Sequence, residues 1–196
     1  LAYGIPQYRL PSEVLDREIE HMHRSGFNIH LNTMVGRDIS FENLRSKADA
    51  VYVATGTQLP QRMNIPGEEL SGVLPGIEFL KNVKLYHSVD LSGKIVAVIG
   101  GGNTAIDSAR SALRLGAAKV MLLYRRTRDA MPAYDVEVEE ALEEGVELME
   151  LVSPVRILPN EYGRVSQIEC VRRKMSNFDN SGRRNTSHIE GSNFFM

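Results

Sequence analysis

Apolar residues recur at helical spacing in the first element the chain predicts. Ser12 is positioned to cap a helix running to about Ser25, with Val14, Leu15, Ile19 and Met22 along one stripe and Gly26 as its stop. Phe27, Ile29 and Leu31 then alternate with polar neighbours, which predicts a half-buried strand. The run Asp49-Ala50-Val51-Tyr52-Val53-Ala54 reads as a short, fully buried strand. From Thr55 to Gly93 the pattern is broken by Gly56, Pro60, Pro66, Gly67, Gly72, Pro75 and Gly76, leaving one short helical stretch near Ile77 to Val83. This middle stretch reads as a connector between domains.

The pattern sharpens after Lys94. The β-branched run Ile95-Val96-Ala97-Val98-Ile99 leads directly into glycines and then into a helix to about Leu115, with Gly116 as a natural C-cap. A second strand, Lys119 to Tyr124, completes a right-handed parallel βαβ unit. Pro132 suits the first turn of another helix ending near Gly145, which feeds a third strand, Val146 to Leu151. Two more strands, near Val155 to Leu158 and Val165 to Lys174, flank the turn Asn160-Glu161-Tyr162-Gly163 as an antiparallel meander, and Asn177 to Ser187 reads as polar loop. The order predicts an α/β fold: a Rossmann-like dinucleotide-binding domain with a parallel sheet, helices and an antiparallel β-meander.

Composition narrows the class. The 196 residues are 42% hydrophobic, enough for a substantial core. No stretch approaches the roughly 20 apolar residues of a membrane span, and the opening Leu1-Ala2-Tyr3-Gly4-Ile5-Pro6 has no signal-peptide pattern. With 23 basic against 25 acidic side chains, there is no broad positive field to attract nucleic acid or a membrane surface. One cysteine, Cys170, excludes an internal disulfide, a Cys-x-x-Cys pair and a four-cysteine iron–sulfur site within the chain, and predicts a reducing, cytoplasmic setting. A first residue that is not Met and an apolar ending, Phe194-Phe195-Met196, lead us to expect a segment of a longer protein.

The candidate chemistry sits at Gly100-Gly101-Gly102-Asn103-Thr104-Ala105. The spacing Gly100-x-Gly102-x-x-Ala105 permits a tight strand-to-helix turn, lets backbone approach a pyrophosphate at Gly102 and keeps helix and sheet close at Ala105. The helix start then supplies N–H donors and a positive dipole. Such a triplet is weak evidence alone. The buried strand before it, the helix after it and the small face Ala105, Ala109, Ala112 strengthen it. Where an NAD-binding unit places a carboxylate after its second strand, this chain has Tyr124-Arg125-Arg126-Thr127-Arg128. A guanidinium fork matches a phosphate dianion, so Arg125 and Arg126 predict binding of the 2′-phosphate of NADP(H).

Other polar groups read as structural. Asp107 lies near the helix start, where support is the expected role. The series Asp135, Glu137, Glu139, Glu140, Glu143 and Glu144 lacks His or Cys partners and reads as a solvated face rather than a metal site. His21 and His23 point in different directions on a helix, and His30, His87 and His188 are isolated, so metal binding is not expected. No nucleophile or acid/base pair emerges, and the hard chemistry falls to a cofactor.

Taken together, Gly4-Ile5-Pro6-Gln7-Tyr8-Arg9-Leu10-Pro11, Ala54-Thr55-Gly56, Ile65-Pro66-Gly67-Glu68, Gly100 through Asp107, Tyr124-Arg125-Arg126, Met131-Pro132-Ala133 and Ile189-Glu190-Gly191 form a specific set. By these markers nearly the whole chain resembles the glutamate synthase small (β) subunit and related FAD- and NADPH-dependent pyridine nucleotide oxidoreductases.

The resemblance implies residues 1–59 as part of an FAD-type α/β domain, 60–75 as connector and 76–196 as a C-terminally truncated NADP(H) domain. It implies that Gly100, Gly101, Gly102, Asn103, Thr104 and Ala105 hold the NADP(H) pyrophosphate, that Arg125 and Arg126 hold the 2′-phosphate, and that Ala54, Thr55 and Gly56 form the closing turn of the flavin domain. It also implies hydride transfer from nicotinamide C4 to flavin N5. Electrons would then pass to an electron-accepting partner, the glutamate synthase large subunit or a similar iron–sulfur protein. The flavin domain's own glycine fingerprint and the cluster cysteines are absent from this sequence, so FAD binding is expected of the full-length parent and not of this segment, which alone should be inactive. A missing last parallel strand predicts an open sheet edge, met by pairing between copies or by a disordered tail. Two alternatives share some features. A non-catalytic NADP(H) sensor would keep the turn and the arginines without a flavin partner, and an S-adenosylmethionine methyltransferase would need an acid near Tyr124, where Arg125 and Arg126 stand.

Overall fold

The computed structural model describes residues 1–57, 59–86, 89–178 and 184–196. It divides into two compact units, Leu1–Arg9 with Pro60–Met196, and Leu10–Leu59.

The smaller unit holds α1 (Ser12–Arg24) and α2 (Phe41–Ser46). The cap position of α1 belongs to Pro11 rather than Ser12, and Gly26 beyond its end adopts φ 90°. The helix α2 was not expected from the sequence; Ser40 Oγ accepts from the Asn43 N–H at 3.1 Å and caps it. The two expected strands are not formed. A strand needs a neighbour for its N–H and C=O groups, and residues 27–31 and 49–54 have no ladder partner among the described residues; Phe27, Leu31, Tyr52 and Val53 stay exposed.

In the larger unit, α3 (Gly76–Tyr86) runs longer than the apolar spacing suggested. It leads to the expected β1 (Ile95–Ile99), α4 (Asn103–Arg114) and β2 (Lys119–Tyr124), then to a single 3-10 turn at Arg128–Ala130, α5 (Asp135–Glu143) and β3 (Glu147–Glu150). The three strands pair in parallel in the order β1-β2-β3. Alternate residues of β2 serve two cores. Val120, Leu122 and Tyr124 join Ile106, Ala109 and Ala112 of α4 and Phe79 and Leu80 of α3. Leu123, on the other face, joins Val152 and Cys170.

That second core is roofed by an antiparallel sheet of β4 (Val152–Pro159), β5 (Val165–Phe178), β6 (Arg184–His188) and β7 (Phe194–Phe195), with β5 at its centre. Two features of this sheet depart from the sequence pattern. Of the expected loop at Asn177 to Ser187, residues 179–183 lie outside the described set, while Arg184–His188 is a strand. Its register on β5 pairs Arg173 with His188 and Met175 with Thr186, so the ladder supplies what its polar sequence does not advertise. The chain end is ordered, because Phe194 and Phe195 pair with Cys170 and Glu169 and the Met196 N–H donates to the Ile168 carbonyl.

Candidate functional site

The turn between β1 and α4 is built by three glycines for three different reasons. Gly100 has φ 145°, a conformation L side chains avoid, and a Cβ there would lie 3.1 Å from that of Ala105. A Cβ on Gly101 would strike the buried Tyr124 ring, whose hydroxyl donates to the Ala130 carbonyl at 2.6 Å. Gly102, the helix N-cap, has the ordinary values φ −95° and ψ 172°, and a Cβ there would meet only Pro132 Cγ, at 3.9 Å. The fold therefore explains glycine at 100 and 101 but not at 102. That position opens to the start of α4, where unpaired N–H groups and the positive end of the helix dipole favour a phosphate.

The segment Met131–Tyr134 lies over the same turn. Ala133 N–H donates to the Gly101 carbonyl at 3.1 Å, and Tyr134 N–H donates to Asn103 Oδ1 at 3.1 Å. These bonds explain why Pro132 is not in the first turn of α5, as its residue type suggested: the chain is held against the turn until Tyr134, and the helix begins at Asp135. Thr104 is exposed, and its carbonyl accepts from Ser108 Oγ at 2.7 Å.

Beside the turn lies a cleft of about 350 Å³ lined by Arg126, Met131, Pro132, Phe178 and Arg184, among others. Arg125 is exposed. Arg126 is only 8% exposed, and its Nε donates to the Arg184 carbonyl at 2.7 Å. Among the described residues no carboxylate lies within ion-pair distance of Arg125, Arg126 or Arg184. A buried cation without a counter-charge is costly unless an anion completes it. The sequence signalled Arg126 but not Phe178 or Arg184, which arrive from the distant hairpin. Ala54, Thr55 and Gly56 belong to the smaller unit, where all three are exposed.

The back of α4 carries ion pairs. Arg9 Nη1 donates to both Asp107 oxygens at 2.9 Å, and its Nε lies 3.0 Å from Glu137. Burial pushes the Asp107 carboxyl up, against the hydrogen bond from Arg9. Arg110 meets Glu137 at 2.6 Å and Glu140 and Glu144 at 2.7 Å, while Arg114 meets Glu144 at 2.6 Å. Arg114 also stacks over the Tyr8 ring at 4.0 Å. Burial opposes the Arg110 charge, but the Glu144 hydrogen bond and charge outweigh it and hold the guanidinium protonated. Glu137, Glu140 and Glu144 are thus paired, not merely solvated as their spacing suggested, and Glu139 meets Arg128 at 3.1 Å. No group of three or more metal-ligating side chains gathers among the described residues; His87 lies outside them.

The parallel βαβ core, its glycine turn and the helix start facing it define a Rossmann-like dinucleotide-binding unit. The family model described as pyridine nucleotide-disulphide oxidoreductase matches residues 42–170, and the chain belongs to that family. NADP(H) and FAD are bound in this family. The chain is 46% identical over 198 residues to the NADP(+)-dependent formate dehydrogenase subunit beta of Moorella thermoacetica, covering 100% of this chain and 28% of that protein. It is 38% identical over 202 residues to the glutamate synthase [NADPH] small chain of Escherichia coli (strain K12), covering 98% of this chain and 43% of that one. Among solved structures, FprA of Mycobacterium tuberculosis in complex with NADPH shares the fold over 100% of this chain and 58% of its own, with a TM-score of 0.80 at 20% identity. The chain thus spans less than half the length of these two relatives. No helix of the described residues is long and apolar enough to cross a membrane.

A pyridine dinucleotide fits the residues present: a Cβ at Gly102 would meet only Pro132 Cγ at 3.9 Å, which leaves the helix start open, and Pro132 and the buried Arg126 line one cleft.

Proposed function

We propose that this chain is the NADPH-binding part of a flavin-dependent oxidoreductase resembling the glutamate synthase small subunit. NADPH would supply the hydride, FAD in the full-length protein would receive it, and electrons would pass on to a partner subunit or domain carrying iron–sulfur centres. The carrying observation is Gly102, a glycine that neither its backbone angles nor its neighbours require and that opens toward the helix start. The Gly100–Ala105 turn takes the pyrophosphate, with Asn103 also holding the Met131–Tyr134 segment against it. Arg125 and Arg126 take the 2′-phosphate. Residues 1–59 serve the flavin domain, with Ala54, Thr55 and Gly56 at its closing turn, and 76–196 serve NADP(H).

The partner assignment is supported by the relatives' names, both of which describe one component of a larger assembly. A reducing cytoplasm suits the lone buried thiol of Cys170. Among the described residues the outer strands of the parallel sheet, β1 and β3, each pair on one side, which leaves room for pairing between copies. The test is calorimetric titration of the purified full-length protein with NADP+ and NAD+. NADP+ should bind at least about tenfold more tightly, and Arg125→Gln should remove most of that preference. Equal affinity for the two, or no binding of either, overturns the reading.

A further inference from the structure

The cleft lined by Met131 and Pro132, which lie beside the glycine turn, is also lined from the antiparallel sheet, by Phe178 at the end of β5 and Arg184 at the start of β6. We propose that Arg184 is a third guanidinium for the 2′-phosphate of NADP(H), so that this hairpin takes part in selecting NADP(H) over NAD(H). The proposal rests on the reading of the cleft as the NADP(H) site and adds a specificity-determining residue from outside the βαβ unit.

Three observations carry it. First, Arg126 has its Nε committed to the Arg184 carbonyl at 2.7 Å, so its two terminal amino groups are the donors left for a ligand. It is buried, and no carboxylate pairs with it among the described residues. Second, Arg184 lines the same cleft with its guanidinium carbon 5.6 Å from the ring centroid of Phe178, which also lines it, a cation–π contact that steadies the charge beside the cleft. It too lacks an acidic partner among the described residues. Among the described residues the carboxylate on the cleft wall is Asp129, which is exposed and makes no ion pair with either arginine.

Third, the hairpin is fastened at this point. Arg173 on β5 donates through Nε to Thr186 Oγ1 and through Nη2 to the Thr186 carbonyl, both at 2.7 Å. Burial lowers the Arg173 pKa, and the charges of Arg125 and Arg126 lower it further. Arg126 and Arg184 thus line one cleft, Arg173 and Arg125 add positive charge nearby, and none of these arginines has an acidic ion-pair partner among the described residues. Like charges gathered this way repel each other until an anion arrives, and a phosphate monoester dianion beside three forked donors is the ligand that relieves the repulsion most. Fixing the Arg184 main chain through Arg126 also couples the two side chains geometrically, since the residue that binds the phosphate from the sheet holds the backbone of the residue that binds it from the hairpin.

The test uses Arg184→Gln in the full-length protein, a change that keeps the main-chain acceptor for Arg126. Affinities for NADP+ and NAD+ are measured by calorimetry beside Arg125→Gln and the parent. Arg184→Gln should weaken NADP+ by about tenfold and change NAD+ by less than about twofold. Phe178→Leu should reproduce part of that loss and Phe178→Tyr, which keeps the ring, should not. Should Arg184→Gln lose its thermal unfolding transition, Arg184→Lys replaces it and should retain a clear NADP+ preference weaker than the parent's. If Arg184→Gln binds NADP+ as the parent does while Arg125→Gln fails, the proposal is overturned and the NADP(H) reading stands. Equal weakening of both nucleotides overturns it as well. A parent protein with no preference for NADP+ overturns both.

Discussion

Arg9 and Asp107 stand 98 positions apart, and a single nitrogen of the Arg9 guanidinium donates to both oxygens of the Asp107 carboxylate at 2.9 Å. The carboxylate side chain is only 4% exposed, so the pair fastens the opening segment onto the second turn of the helix that begins at the glycine turn. Removing the guanidinium leaves the buried carboxylate without this partner. Arg9→Ala should therefore destabilise the protein by about 3 kcal/mol, and Asp107→Asn should cost less because Arg9, which is more exposed, keeps its pair with Glu137 at 3.0 Å. Urea unfolding of the two single variants and the double variant measures both costs and their coupling.

The glycine turn separates stability from binding. Gly101→Ala drives a methyl group into the Tyr124 ring and should cost about 1–3 kcal/mol in stability. Gly102→Ala meets nothing closer than 3.9 Å, so its melting temperature should stay near the parent's. Its effect should fall on the ligand, with NADP+ affinity reduced by at least about tenfold because the methyl group occupies the space a pyrophosphate would use. A Gly102→Ala variant that melts normally and binds NADP+ normally contradicts the assignment.

The parts of this molecule that the sequence reveals are those whose determinants are local. The β1 run, the glycines and the small face of α4 lie within one continuous stretch, and the fold follows them element by element. The start of α5 is displaced from Pro132 by bonds to Gly101 and Asn103, some 30 residues earlier, which no propensity encodes. The strand β6 is read as loop because Arg184-Asn185-Thr186-Ser187-His188 has no apolar alternation; its partner strand creates it. The candidate site divides in the same way. Gly100 to Ala105 and Arg125 to Arg126 are legible from spacing, whereas Arg184 meets Arg126 across 58 positions. Conversely, the apolar alternation at 27–31 and the apolar run at 49–54 predict strands that find no ladder partner among the described residues, since an apolar pattern records a surface to be covered and not the neighbour that covers it.

Cys170 offers a direct reading of the second core. Its side chain is fully buried between β4 and β7 beside Leu123 and Val152, and burial pushes the thiol up to about 11, with the charge of Glu169 adding to the effect. At pH 8 the native thiol should scarcely react with an aromatic disulfide reagent, whereas in urea one equivalent should react promptly. Fast stoichiometric labelling without denaturant contradicts the packing.

The arginine-rich back of α4 sets the response to acid. Burial tends to raise the Glu144 carboxyl, but hydrogen bonds from Arg110 and Arg114 and their charges prevail and hold it below its ordinary value of 4.5. A carboxyl whose pKa is lower in the folded state contributes stability that is fully present above the unfolded value and is lost as pH falls through the folded one. The parent should therefore lose this contribution as pH drops below about 4.5, while Glu144→Gln, already lacking the charge, should show a shallower decline there. At neutral pH Glu144→Gln should cost about 1 kcal/mol, discounted because the side chain is partly exposed. Urea unfolding of both proteins at stepwise pH between 7 and 3 checks the sign: the two stabilities should converge as pH falls, and a gap that widens instead contradicts the pairing of Glu144 with Arg110 and Arg114.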